Sequence, residues 1–426
     1  NAEYMGRSWR FFGRAIWEEM MNSNAQSRLE CLFHHFTEES HPLPRFHMVS
    51  SGARTVEENE VVIVGGMVLD IHAIPFSSLL PTTTTPGKVR YVLGGVARNI
   101  AECMLKFGAK PFLISALGTD MAGQLLLRHW SSTGLPIAGI RQLKNIETPV
   151  VCNVFNSHGE LEAAVASVQS IERCLDADWI HHCEGKIQSA PIFMADANLS
   201  TLALEECCQV AAKHEVPVWF EPVSVAKSKR ITSVAHLVTI ASPNIEELIA
   251  MASALNEDAC FPSQPIDKII SVQNLLHICK HPIAVLLNKG IKVITVTLGG
   301  NGVFLCCKGR EWNDYRLKRA KGLPLDSPFY PLSRVAMGHK CSDSDMVIKH
   351  LPALPINVAL LTGAGDCFVG GAIWGLCSGL DVAQSAAVGI AAAKGAVEGE
   401  SNVPLRFDMT AVADDALIVY SKVRIM

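Results

Sequence analysis

VVIVGGMVLDIHAI, residues 61–74, sets β-branched and apolar residues on both sides of a glycine pair, the composition of a strand buried on both faces. Reading outward from it, a Thr/Pro loop at 81–87 leads into YVLGGVARNIAECMLKFGA. There Val96, Ile100, Met104 and Phe107 fall at helical spacing and Gly108 is a stop signal. PFLISALG (111–118) is strand-like, and MAGQLLLRHWSSTG is a helix ending at Gly134. PIFMADA, TLALEECCQVAAKHE, PVWFEPV, LVTIASP, NIEELIAMASAL, VITVTLG and GVFLCC continue the alternation. Strands alternating with helices predict βαβ units and a mainly parallel sheet, an α/β fold. One segment breaks the rhythm: TPVVCNVFNSHGELEAAVASV (148–168) reads as a hairpin around Asn156-Ser157-His158-Gly159, either a lid over the carboxyl ends of the strands or an ordinary edge hairpin. Residues 1–57 read as a tail outside the fold. Residues 308–345 read as an irregular surface excursion whose basic cluster, Arg316, Lys318, Arg319 and Lys321, is a solvated face.

Composition narrows the function. The 426-residue chain carries a net charge of -4, which gives no basic field for nucleic acid and points to a small-molecule partner. No segment approaches the roughly 18 uninterrupted apolar residues of a membrane span, so no membrane partner is expected. The 14 cysteines are scattered, with no C-x-x-C, and read as reduced core thiols rather than zinc ligands or disulfides.

The chemistry-bearing motifs follow in order. In LTGAGDCFVG (361–370), small residues open a helix whose first amides are unpaired and whose dipole favours an anion such as a transferring phosphoryl group. Asp366 then either sits beside that anion or merely caps the helix. VTLGGNGVFL (296–305) places Gly299, Gly300 and Gly302 in a turn that either admits a nucleotide or only joins two strands. Gly87-Lys88 and Gly185-Lys186 are each followed by an apolar residue, which excludes a P-loop. Asn244 and Glu247, three apart at a helix start in SPNIEEL, suit either a hydrated magnesium ion or a capping pair. Asp70 ends the first strand, and Gly94, Gly95 and Asn99 open the next helix. A carboxylate and an amide there fix adjacent sugar hydroxyls, or form a cap and a turn.

Taken together, these segments resemble the ribokinase, or PfkB, family of carbohydrate and nucleoside kinases, from about Val61 to Pro404. The resemblance also takes in Gly118, Asp120 and Gly123, the run Thr297 to Gly302 and the signature Thr362 to Asp366. It implies a three-layer α/β/α ribokinase-like domain over 58–405 with a small β-sheet lid (about 71–92 and 148–168), and a C-terminal extension at 406–426. It implies ATP-dependent phosphorylation of a primary hydroxyl with Mg2+, and it allows K+ as a further cofactor and a homodimer through the lid. By resemblance, Asp366 is the catalytic base and the amides of Gly363, Ala364, Gly365 and Asp366 form the anion hole. Asn244 and Glu247 serve the metal, and Thr297, Gly299, Gly300 and Gly302 serve ATP. One departure stands out: Leu360 occupies a position that is an acid or amide in many relatives.

Within the family, GGVARNIAE (94–102), Asp196-Ala197-Asn198-Leu199, WFEPVSVAKS (219–228) and AAAKGAVEGESNVP (391–404) resemble pseudouridine kinases, those of plants in particular. The resemblance implies phosphorylation of a nucleoside 5′-hydroxyl in salvage and catabolism. Asn198 lies where relatives touch the sugar, Glu221 where a neighbouring strand meets phosphate or magnesium, and Thr148 begins the hairpin facing the base. The alternatives are a kinase for another nucleoside or sugar, and a non-catalytic scaffold. Arg28 to Phe36, RLECLFHHF, resembles the nonapeptide that directs proteins to peroxisomes, with the cytosol as the alternative.

Overall fold

The computed structural model describes residues 60–80, 82–156, 161–256, 261, 271–335, 346–356, 362–399 and 401–426. Residues 61–74 are not one strand but two, β1 (Val62–Val64) and β2 (Val68–Pro75), which belong to different sheets. The break is at Gly65, whose φ of +150° is paired with a close approach: a Cβ there would lie 2.1 Å from Cγ of Asp196. Only a residue without a side chain can turn the chain at that point. Asp70 therefore does not end the first strand; it lies on β2, outside the large sheet.

The remaining strands are β3 (Gly87–Gly94), β4 (Phe112–Gly118), β5 (Ile140–Leu143), β6 (Val150–Phe155), β7 (Leu161–Ser167), β8 (Phe193–Asp196) and β9 (Val218–Glu221). They continue with β10 (Ile240–Ala241), β11 (Val293–Thr297), β12 (Val303–Lys308), β13 (Met346–Leu351) and β14 (Arg424–Ile425). The principal helices are α1 (Val96–Lys106), α2 (Met121–Ser132), α3 (Thr201–Lys213), α4 (Ile245–Leu255), α5 (Val272–Asn288), α6 (Ala364–Cys377), α7 (Val382–Val397) and α8 (Met409–Ser421).

Among the described residues the large sheet has ten strands in the order β14-β13-β12-β11-β10-β9-β8-β1-β4-β5, parallel from β11 to β5 and antiparallel beyond. The two-residue period of β1 divides its side chains between two cores. Ile63 falls in one core with Ile100, Phe368, Ala387 and Tyr420 of α1, α6, α7 and α8, whereas Val62 and Val64 fall in the other with Leu204, Leu248 and Leu286 of α3, α4 and α5. This is the three-layer α/β/α arrangement expected. Each such buried Ile, Leu or Phe contributes about 1.5–3 kcal/mol. The chain runs from β1 to β4 and β5 on one side and returns at β8 on the other, so strand order reverses between β1 and β8. Open α/β sheets bind ligands at such a switch, beyond the carboxyl ends of the strands.

A second sheet, β3-β2-β6-β7, forms the expected small lid, beginning at Val68. Its connection to the large domain is pinned. Asp120 caps α2 by accepting from the amide of Gly123 (2.8 Å) and also accepts from the amide (2.7 Å) and hydroxyl (2.6 Å) of Thr148. The same hydroxyl accepts from the amide of Gly118 at 3.0 Å. Thr148 is buried with donor and acceptor both engaged, so it anchors the hairpin rather than facing a nucleobase.

Three other expectations change. Residues 406–426 are not an appendage, because α8 buries Val412, Ala416 and Tyr420 against the core and β14 pairs with β13, within a unit running from Asn59 to Met426. The 308–345 excursion sends Leu317, Phe329 and Leu332 into the core. Its basic cluster is not simply solvated: Arg316 donates to the carbonyl of Gly379, and Arg319 to those of Gln188 (3.0 Å) and Ala190 (3.3 Å). No disulfide joins the described cysteines, most of which are buried, and no described helix is long and apolar enough to cross a membrane. The tail with Arg28 to Phe36, the turn at 157–160 and Leu360 lie outside the described residues.

Thr148→Val keeps the volume but strands the buried amide of Gly118. It should destabilise the protein by about 1–3 kcal/mol in urea unfolding, and an unchanged midpoint would show that the anchor carries no load.

Candidate active site

At the β1/β8 switch, a carboxylate with no solvent exposure organises the backbone. Asp196, the last residue of β8, accepts from the amides of Gly66 (2.9 Å), Ala97 (3.2 Å) and Asn198 (2.9 Å) and from the side-chain amide of Asn198 (3.0 Å). Helix α1 starts at Gly95 with no capping side chain of its own, so Asp196 supplies the cap from the neighbouring strand. Asn198 is drawn into this arrangement and is not left pointing freely at a ligand; its oxygen also accepts from Nζ of Lys227 at 2.6 Å.

From that fixed start, α1 presents Asn99 to the N-terminus of α6, where Nδ2 donates to Oδ2 of Asp366 at 2.6 Å. This speaks against the capping reading of Asp366. The cap of α6 is Gly363, with no side-chain capping bond, and the aspartate reaches across to another helix instead of bonding its own amides. Gly363 adopts a left-handed conformation (φ +82°), and a Cβ there would lie 2.0 Å from the carbonyl oxygen of Asn402. Gly365, by contrast, faces open space, so the first turn of α6 is bare on its outer side. An uncapped helix start with an unobstructed face can receive an anion.

On the lid side, Asp70 lies over Gly94, where a Cβ would be 2.2 Å from its Oδ2, and Asn402 Nδ2 reaches that oxygen at 3.4 Å and the carbonyl of Leu93 at 3.2 Å. The structure thus brings Asp70, Gly94, Gly95, Asn99 and Asp366 together. Burial pushes the carboxyl of Asp366 up to about 6; Asp196 and Asp70 push the same way, against the Asn99 hydrogen bond and the positive charge of Arg98. Burial likewise raises Asp70 to about 6, opposed by Asn402 and Arg98.

A second group gathers on the other side of Asp366. Asn244 and Glu247 form a reciprocal capping box, with each backbone amide bonded to the other's side chain at 2.9 and 2.8 Å. The capping reading of this pair is therefore correct for those oxygens, and it leaves Oε1 of Glu247 outside the box. Glu221, at the end of β9, accepts from the hydroxyl of Ser242 and is held well above the usual carboxylate range by burial, then by the charges of Glu247 and Asp366. Glu247 is raised chiefly by burial. Among the described residues no three His, Cys, Asp or Glu side chains converge as a direct metal site. Thr297 forms a parallel bridge with Asn244, so the β11–β12 turn adjoins this group. In that turn Gly299 and Gly300 face open space while Gly302 packs beneath the carbonyl of Leu351. Glu221 belongs with the carboxylates, not with the glycine turn.

Sequence reading did not single out Asp196, Asn402, Arg98 or Glu102 as site residues. For Arg98 and Glu102 a signal exists, opposite charges four apart on a helix, but nothing in it says that both would be buried.

The chain matches the description of a pfkB family carbohydrate kinase over residues 58–319. It is 44% identical over 374 residues to a pseudouridine kinase of Arabidopsis thaliana, covering 86% of this chain and 98% of that one. It is 27% identical over 251 residues to a pseudouridine kinase of Escherichia coli (strain K12), covering 58% and 73%. Its fold is similar to that of Arabidopsis thaliana ribokinase complexed with ribose and ATP, with a TM-score of 0.60 at 17% identity over 84% of this chain and 98% of that one. With a matching family pattern over more than half its length and a relative this similar from end to end, the chain belongs to the pfkB family of carbohydrate kinases.

Proposed function

We propose that this protein is an ATP-dependent pseudouridine kinase that phosphorylates the nucleoside 5′-hydroxyl, an activity serving the breakdown of modified RNA nucleosides. The observation that carries the chemistry is Asp366 at the bare N-terminus of α6, tied to Asn99 and adjoining Asp70. The substrate is supported by the likeness to pseudouridine kinases. Asp70 and Asn99 bind ribose hydroxyls, and Asp366 takes the proton from O5′. As the new O5′–Pγ bond forms, the bond from the γ-phosphorus to the bridging oxygen breaks and ADP leaves with the electron pair. The amides at the start of α6 stabilise the charge on the transferring group, since such reactions are mostly positioning and charge stabilisation. ATP lies along the Thr297 to Gly302 turn.

The residues present fit magnesium. Buried carboxylates at Glu221 and Glu247 repel one another and gain from a cation between them and phosphate. With one Glu247 oxygen held in the capping box, they would hold the ion through its waters, as magnesium allows. When bound, the ion supplies charge neutralisation on the phosphate oxygens. The lid supports a partner of its own kind: β7 is exposed along its length, with Val165 75% and Leu161 58% exposed, so two copies would pair there.

ATP consumption with pseudouridine, uridine, adenosine, inosine and ribose should show preference for pseudouridine, and Asp366→Asn should lower kcat by roughly 10²–10⁴. Turnover of another compound would discard the substrate, and near-normal turnover by the variant would discard the base. The pH dependence follows from the raised carboxyls. A base is idle when protonated, so kcat/KM should fall as pH drops through about 6 rather than near 4, with Asp366 and Asp70 titrating as a pair. A profile flat down to pH 5 would contradict this. By light scattering the protein should be a dimer that Val165→Asp converts to monomer; a monomeric wild type would remove the lid pairing.

A further inference from the structure

Helix α1 carries a buried ion pair beside Asn99, the residue that bonds Asp366. Arg98 and Glu102 are 3% and 6% exposed, and Nη2 of Arg98 donates to Oε2 of Glu102. Nε2 of His129, on α2, meets the same oxygen at 3.2 Å. An ionised carboxylate only accepts, so His129 carries its proton on that nitrogen. Burial would raise the Glu102 carboxyl, but the charge of Arg98, the hydrogen bond from His129 and the charge of Lys106 outweigh it and hold the carboxyl down to about 2. Two contacts then remain to the other arm of the guanidinium: Nη1 donates to the carbonyl of Leu93 at 2.8 Å and to Oδ1 of Asn99.

The last contact has a consequence for catalysis. The two ends of an Asn side chain are nearly the same shape, so its orientation is set by its partners. Guanidinium can only donate, so Oδ1 of Asn99 must face Arg98 and the NH2 must face Asp366, as found. Turned the other way, the amide would set oxygen against carboxylate on one side and NH2 against guanidinium on the other. We propose that Arg98, held by Glu102 and His129, is a positioning residue for phosphoryl transfer that fixes the polarity of the Asn99 amide and thereby the ionised, correctly aimed state of Asp366. The proposal rests on Asp366 being the base. The charged groups acting on Asp366 are Asp70 from the lid, Asp196 from β8, Glu221 from β9 and Arg98 from α1. Among these Arg98 is the cation, so its removal acts with the loss of the Asn99 bond, and both disfavour the carboxylate.

The test uses the full chain and two variants at saturating ATP and pseudouridine. Arg98→Met combined with Glu102→Leu removes both buried charges together and leaves neither stranded. Arg98→Lys keeps the charge but replaces the two-armed planar fork with a single donating nitrogen. With folding checked by thermal melting, the double variant should move the acidic limb of kcat up by about one pH unit. The lysine variant should keep the limb near its wild-type position while kcat falls about tenfold through misplacement of the amide. A purely structural role would lower stability and leave the limb in place. A folded double variant with an unmoved limb overturns the proposal; should it not fold, wild-type kcat in Arg98→Lys does so. The Asp366→Asn control separates this from failure of the underlying reading: if that variant turns over normally, Asp366 is not the base, whereas its loss of activity with an unmoved limb refutes Arg98 alone.

Discussion

The geometry of the site depends on one buried carboxylate. Asp196 has no contact with solvent, and burial in such a place disfavours its ionised form, an effect opposed by amide donors from Gly66, Ala97 and Asn198 and by the charge of Lys227. Those donors come from three segments: the turn after β1, the start of α1 and the loop after β8. Without the carboxylate the first amides of α1 would be buried and unpaired, and the Gly65 turn would lose the group it wraps. Because Asn99 and Arg98 ride on that first turn, the site inherits its precision from Asp196, which lies beneath it.

A second constraint is the opposite treatment of backbone at the start of α6 and in the β11–β12 turn. Gly363 is held against the carbonyl of Asn402, whereas Gly365, Gly299 and Gly300 have nothing near the position of a side chain. The first kind of glycine shapes the protein, and the second leaves room for something else. Asn402 serves both sides, since its carbonyl limits Gly363 while its amide reaches Asp70. One loop after α7 thus couples the start of α6 to β2 of the second sheet.

Much of this was legible in the sequence because it is written in local patterns. The alternation of strand and helix, the hairpin at 148–168 and the small residues before Asp366 each have a period or composition that physics ties to one shape. What was not legible depended on partners distant in sequence. Residues 61–74 read as one strand because nothing local announces that Asp196, far along the chain, occupies the space beside Gly65. Thr148 read as a ligand contact, yet its hydroxyl is taken by Asp120 and Gly118. The 308–345 segment lacks a period, so its three core anchors could not be told from exposed apolar residues. Asn244 and Glu247 show the limit most clearly: the pattern for a capping box and for a metal pair is the same, and the structure contains the box.

The balance of charge bears on how the proposed reaction would proceed in one direction. Glu102 offsets Arg98, which leaves Asp70 and Asp366 with little compensation; burial raises both to about 6, and the charges of Asp196 and Asp70 add to the rise at Asp366. A nucleoside is neutral and offers hydroxyl donors, which ionised carboxylates accept. In the proposed reaction ATP would bring charge that the amides at the start of α6, and a cation held by Glu221 and Glu247, would offset. The proposed product would carry a phosphate on O5′ beside Asp366, and so would set a dianion against a carboxylate that had just accepted the hydroxyl proton. Once that proton is lost to solvent the two repel, at an effective dielectric lower than that of water. On the proposed function, the burial that raises Asp366 would therefore also favour departure of the phosphorylated nucleoside.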